Sequence, residues 1–148
     1  MKPVAVNRKA YHNYFVEETY EAGIQLVGTE VKSLRNHSAD LSDGYARVEN
    51  DEVFLYDVHI APYSHGNVFN RDPKRRRKLL LKKAEIKRLF GKTTLRGFTL
   101  IPLKIYFSDR GRAKIELGLC RGKKDIDRRE QLKKRAMERE DRLEFRRR

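Results

Sequence analysis

Apolar and polar residues alternate along much of the chain with the period of two that marks half-buried strands. The clearest run is "RAKIELGL", residues 112 to 119, where Ala113, Ile115, Leu117 and Leu119 face one way and Arg112, Lys114 and Glu116 the other. "GFTLIPLKIYF" stands before it, joined through "SDRGR", so the two predict a hairpin. Pro102 has no N–H to give a ladder, which predicts an edge or a bulge there. A second hairpin is predicted over "YARVENDEVFLYDVHI", turning at Asn50 and Asp51. A third is predicted over "YFVEETYEAGIQLVG", turning near Glu21, Ala22 and Gly23.

Six strands in three hairpins predict a mainly β fold, an antiparallel barrel closed on itself, because a small sheet of that many strands must hide its edges. Two helical patterns interrupt it. In "KKAEIKRLFG", Ile86, Leu89 and Phe90 share a face, and Gly91 suits the position just past a last turn. In "TEVKSLR", Thr29 is a candidate N-cap, with Val31 and Leu34 facing inward. Between the fourth strand and the longer helix lies "APYSHGNVFNRDPKRRRK", a loop of functional length that ends in five consecutive cations, Lys74 to Lys78.

Charge changes the picture from a generic barrel to a binder of polyanions. The 148 residues carry a formal charge of +14. In the last 28 residues, thirteen Lys or Arg stand against seven Asp or Glu, so this tail holds +6 and too few apolar groups to build a core. One domain over 1–121 and a basic tail over 122–148 are the expected organisation. No apolar run approaches the roughly 20 residues a spanning helix needs, and no signal-peptide stretch opens the chain. Cys120 is the sole cysteine, which excludes an internal disulfide and a cysteine-built zinc site, fits a reducing cytoplasm, and reads as a small core residue.

Catalytic chemistry finds little support. "GTEVKS" and "FGKTT" mimic a phosphate loop, but Val31 precedes Lys32 in the first, and Ile86 occupies the earlier glycine position in the second. His12, His37, His59 and His65 show no metal-ligand spacing. The chain therefore reads as a binder, with no cofactor and no enzymatic activity. "NRKAYHNYF" sets Arg8, Lys9 and His12 among Tyr11, Tyr14 and Phe15, and "DPKRRRKLLLKK" packs seven cations between Lys74 and Lys83. Cations neutralise phosphates and exposed aromatics stack on unpaired bases, so this interleaving suits RNA with loops. The same aromatics could instead serve the core, and a general nucleic-acid chaperone would use the same charges without selectivity.

The blocks "NRKAYHNYFVEETYEAGIQLVGTEVKSLR", "HIAPYSHGN", "DPKRRRKLLL", "IPLKIYF" and "ELGLCRGKK", in this order, closely resemble the small protein B family, the transfer-messenger-RNA-binding (SsrA-binding) proteins of bacterial ribosome rescue. The resemblance spans Asn7 to Arg129. It implies a six-stranded barrel of the oligonucleotide-binding (OB) type with added helices that grips the tRNA-like domain of transfer-messenger RNA; a monomer is expected. It further implies delivery of that RNA to the decoding centre of a stalled ribosome for trans-translation, with elongation factor Tu and alanyl-tRNA synthetase met through the RNA. The RNA-gripping residues it implies are Glu21, Leu80 and Lys82, with Asn7 and Lys9 beside them. The charge pattern adds Arg75, Arg76 and Lys78. On the decoding side the resemblance implies His12 and Tyr14, and in the tail Gly122, Lys123, Lys124, Asp127, Arg128 and Arg129. Tyr11, Cys120, Ile126 and Arg128 depart from the family's usual residues.

The tail has no Gly or Pro after Gly122, and Asp127 with Glu130 forms a capping-box-like start. Glu130 with Lys134 and Glu138 with Arg142 are i, i+4 pairs worth about 0.2–0.5 kcal/mol each. Ile126, Leu132, Met137 and Leu143 make no continuous stripe, so the free tail is expected to be disordered or frayed and to order on binding. In this family, the resemblance implies, the tail enters the empty message channel of the small ribosomal subunit as a helix.

Overall fold

The computed structural model describes residues 2–63 and 72–147, with the backbone alone at 124–130 and 144–147. The middle of the expected loop, 64–71, and His65 within it lie outside the described residues. The elements run β1 (Pro3–Val6), α1 (Arg8–Asn13), β2 (Tyr14–Ile24), α2 (Gly28–Arg35), β3 (Ala39–Asp40), β4 (Tyr45–Glu49) and β5 (Glu52–Tyr56). They continue with β6 (His59–Ile60), β7 (Arg77–Leu80), α3 (Lys83–Leu95), β8 (Thr99–Phe107), β9 (Ala113–Gly122) and α4 (Lys123–Arg147).

Six strands close a ring in the order β8, β4, β5, β7, β2, β9 and back to β8, every pairing antiparallel. The barrel expected from edge-hiding is therefore present. β1 lies along the end of β8 that β4 leaves free, pairing at Lys104 to Tyr106, while β4 pairs at Leu100. The turn at Asn50 and Asp51 has φ of 49° and 62°, the left-handed pair that a two-residue hairpin requires. The register of β8 on β9 shifts between Pro102 and Lys104, the bulge that proline predicts.

Membership of the ring differs from the expected three hairpins. β2 runs unbroken through Glu21, Ala22 and Gly23, pairing along its length with β9 and at its end with β7. Gly23 serves close packing, not a turn: a Cβ there would come 3.3 Å from Leu80 Cβ on the neighbouring strand. The sixth strand is instead β7, which begins inside the basic run where the sequence predicts a loop.

Leu55, Leu79, Leu100, Ile105, Ile115, Leu117 and Leu119 fill the barrel, capped by Leu34 from α2 and Leu89 from α3. A smaller cluster of Ala10, Ile101, Leu103 and Cys120 lies under α1, so Cys120 is the core residue expected. α1 itself escaped the sequence reading. It starts at Asn7, whose Oδ1 accepts the Ala10 N–H at 3.0 Å. α2 begins one residue before Thr29, because the Glu30 carboxylate accepts the Val27 N–H at 3.0 Å and does the capping. α3 passes through Gly91 to Leu95, with the left-handed glycine at Gly97 (φ 70°). Phe90, expected on its buried face, is exposed, and Leu89 alone on that helix is fully buried.

The tail, expected to be frayed or disordered when free, is a single helix here, α4. Leu132, Met137 and Leu143 are all exposed on it, in keeping with the missing apolar stripe.

Candidate nucleic-acid interface

The basic run does not present all its cations to solvent, because strand alternation sorts them. Arg77 points inward and is 1 % exposed; its Nε donates to Glu30 Oε2 at 2.7 Å, and its other nitrogens donate to the carbonyls of Val58 (2.7 Å) and Pro73 (3.0 Å). Arg75, expected to grip RNA, closes on the same carboxylate from outside, Nη2 to Oε1 at 2.5 Å and Nε to Oε2 at 3.1 Å. Burial alone would raise the pKa of Glu30, but the hydrogen bonds from Arg75, Val27 and Arg77 together hold it below the usual carboxylate range. Arg75 and Arg77 thus fasten α2 to the barrel.

Arg76 and Lys78 point outward. The Arg76 guanidinium lies 4.0 Å from the centre of the Phe54 ring and 3.6 Å from Glu49, and Lys78 pairs with Glu52 at 3.0 Å. Both ion pairs are half-exposed and weak enough to exchange for phosphate. Leu80 ends the same outward row, 48 % exposed, directly opposite Gly23. Lys82 follows at the N-cap of α3, exposed. On β2, Glu21 is exposed and faces outward two residues from Gly23, so strand pairing brings Glu21, Leu80 and Lys82 to one end of the barrel.

Sequence reasoning missed the neighbours of Glu21. Glu116 on β9 is its cross-strand partner, and Lys104 on β8 pairs with Glu116 at 3.0 Å. The Tyr106 hydroxyl donates to Glu21 Oε2. Lys114, beside Gly23 in register, adds a cation to the patch. The signal was present in the alternation of Lys104 and Tyr106 around Ile105, but the partner strand order was needed to use it.

The other expected positions gather at the opposite end. Tyr14 pairs with Gly122 in register, nine residues along β2 from Gly23, a separation of about 30 Å. Tyr14 packs half-buried on the Cys120 cluster, while His12 is exposed on α1. Lys123 donates to the Tyr11 carbonyl at 3.3 Å and lies 5.2 Å from the Phe15 ring centre, tying the start of α4 to α1 and β2. Lys9 is exposed at this end and pairs loosely with Asp43 at 3.7 Å. Asn7, expected to touch RNA, is 2 % exposed; its Nδ2 donates to the carbonyls of Leu41 (3.1 Å) and Pro102 (2.9 Å), so its side chain serves the fold. The side chains of Lys124, Asp127, Arg128 and Arg129 lie outside the described residues.

The family model of the SmpB protein matches residues 4–147. The chain belongs to the SmpB family. It is 57 % identical over 140 residues to the SsrA-binding protein of Moorella thermoacetica, covering 95 % of this chain and 90 % of that one. It is 59 % identical over 138 residues to the SsrA-binding protein of Caldicellulosiruptor saccharolyticus, covering 93 % and 87 %. A solved chain from a structure described as "tmRNA-SmpB: a journey to the center of the bacterial ribosome" matches with a TM-score of 0.70 at 56 % identity, covering 82 % of this chain and 85 % of that one. Among the described residues no cluster of His, Cys, Asp and Glu is arranged to hold a metal ion, and no helix is long and apolar enough to cross a membrane.

Proposed function

We propose that this SmpB-family chain binds the tRNA-like domain of transfer-messenger RNA and delivers it to stalled ribosomes for trans-translation. The observation that carries this reading is the two-ended barrel. One end holds a carboxylate, an exposed leucine seated over Gly23, and cations (Glu21, Leu80, Lys82 and Lys114); the other, about 30 Å away, launches the basic helix α4 beside His12 and Tyr14. A body that grips a folded RNA at one end and offers a cationic rod at the other is built to join two RNA assemblies. α4, 25 residues, is about 37 Å long and suits an RNA-walled channel such as the empty message path of the small subunit. Leu80 and the cations at the gripping end read RNA shape and unpaired bases, and phosphates supply most of the affinity.

In this reading the protein performs no covalent chemistry and works in the cytoplasm, where elongation factor Tu and alanyl-tRNA synthetase act on the RNA it holds. Arg76 and Lys78 exchange their glutamate partners for phosphates; Arg75 stays on Glu30. A gel shift with the tRNA-like domain and a random hairpin of equal length tests this. The domain is expected to bind at least tenfold more tightly; equal affinity refutes selective recognition and leaves a general nucleic-acid chaperone.

A further inference from the structure

Glu21 is an acidic group on a strongly basic protein, and the structure spends three neighbours on keeping it available. Glu116 sits directly opposite it on β9, where two unpaired carboxylates would repel. Lys104 takes up Glu116 at 3.0 Å, and Glu21 is left without a cation of its own among the contacts of the pair. Tyr106 then reaches from β8 across β9 to β2, a span of two strand spacings or about 9.6 Å, and donates its hydroxyl to Glu21 Oε2. Tyr106 itself is only 9 % exposed, its place fixed by β1 pairing on one side and β9 on the other. Burial, reinforced by the hydrogen bond to Glu21, raises its pKa, so the hydroxyl remains a donor throughout the physiological range.

We infer that Tyr106 is a positioning residue for Glu21, and that the oriented carboxylate accepts from an unpaired base whose edge carries two adjacent N–H donors, the Watson–Crick edge of guanine. This deepens the proposed function and rests on it. A carboxylate offers two oxygens side by side, about as far apart as the N1–H and N2–H donors of guanine. Adenine and cytosine present one exocyclic amino group each, and uracil one imino group. A glutamate free to rotate about three bonds would give up much of that match in ordering, whereas one oxygen anchored on a buried hydroxyl keeps the plane of the group fixed. Oε1 and the second lone pair of Oε2 remain open to the base. Leu80, 48 % exposed and seated over the buried Gly23, gives an apolar surface beside the carboxylate on which a base can lie.

The test uses the full chain and its Tyr106→Phe and Glu21→Gln variants. Each is titrated with the tRNA-like domain of transfer-messenger RNA, transcribed either normally or with inosine, which lacks the 2-amino group, in place of loop guanosines. The wild-type chain is expected to lose about tenfold in affinity on the inosine RNA. Tyr106→Phe and Glu21→Gln are each expected to bind the normal RNA about tenfold more weakly, to ignore the inosine change, and to combine without further loss. The slope of affinity on salt should be the same for all, since no phosphate contact is touched. Wild-type affinity in Tyr106→Phe, or an inosine penalty that persists in it, overturns the inference. So does a melting temperature several degrees lower with affinity unmoved, which would assign the hydroxyl to the fold. If the wild-type chain does not prefer the domain to a random hairpin, the proposed function itself fails.

Discussion

Arg77 on β7 and Glu30 on α2 are 47 residues apart in sequence and form a buried ion pair at 2.7 Å. Removing Arg77 takes the buried partner from Glu30, which keeps only Arg75 on its solvent side, and also unpairs the carbonyls of Val58 and Pro73, together a loss of about 3–5 kcal/mol. Arg77→Ala is therefore expected to lower stability by that amount in urea unfolding. Arg75→Ala, at the solvent side of the same carboxylate, should cost about 1–2 kcal/mol, because Arg77 still neutralises Glu30. Equal and small effects from both substitutions would contradict the internal role given to Arg77.

The buried pair also shows where sequence reading stopped. A run of five cations reads as the end of a loop, because charge density hides a period of two when the inward residue is itself an arginine. Nothing local to residues 74–78 names Glu30 as the partner. Local chemistry was legible: Asn50 and Asp51 declare their turn through backbone conformation, and Pro102 its bulge through a missing donor. Gly23 was misread because a glycine that permits a turn and one that clears space for Leu80 look alike in sequence. Of the candidate site, Glu21, Leu80 and Lys82 come from the family resemblance, whereas Tyr106 and Lys104 require the order of strands around the ring.

Cys120 is completely buried, and burial pushes its thiol up to about 11. Thiolate is the reactive form, so the folded protein at pH 8 should resist alkylation by iodoacetamide over hours and react within minutes in denaturant. Comparable rates in the two states would show that the cluster under α1 opens readily.

Glu18 accepts from Arg88 at 2.7 Å, from the Tyr20 hydroxyl at 2.6 Å and from Lys92 at 3.1 Å, linking β2 to α3. The hydrogen bond from Arg88, followed by those from Tyr20 and Lys92, lowers its pKa to about 2. Its contribution is thus complete above the unfolded value near 4.3 and disappears as pH falls toward 2. The melting temperature should decline over that window, and Glu18→Gln should flatten the decline while leaving the curve above pH 5 parallel to wild type. An identical acid limb in the variant would remove Glu18 from the account.

Lys123 ties α4 to α1 through the Tyr11 carbonyl and the Phe15 ring, but the exposed Leu132, Met137 and Leu143 give the helix no docked apolar face. Removing residues 122–148 is therefore expected to leave RNA binding nearly intact and to abolish tagging of stalled peptides in reconstituted translation. The isolated peptide 121–148 should show little helix by circular dichroism in plain buffer, and more when an RNA channel or trifluoroethanol supplies the ordering. A peptide fully helical in buffer would mean that the tail arrives at the ribosome already formed.

The central claim is selective binding of one RNA. It is tested most directly by purifying the full chain from bacterial cells after crosslinking and sequencing the RNA that accompanies it. Transfer-messenger RNA should be enriched far above its cellular share, with reads concentrated on its tRNA-like domain and a lesser signal from the small-subunit ribosomal RNA. RNA recovered in proportion to cellular abundance would contradict the claim.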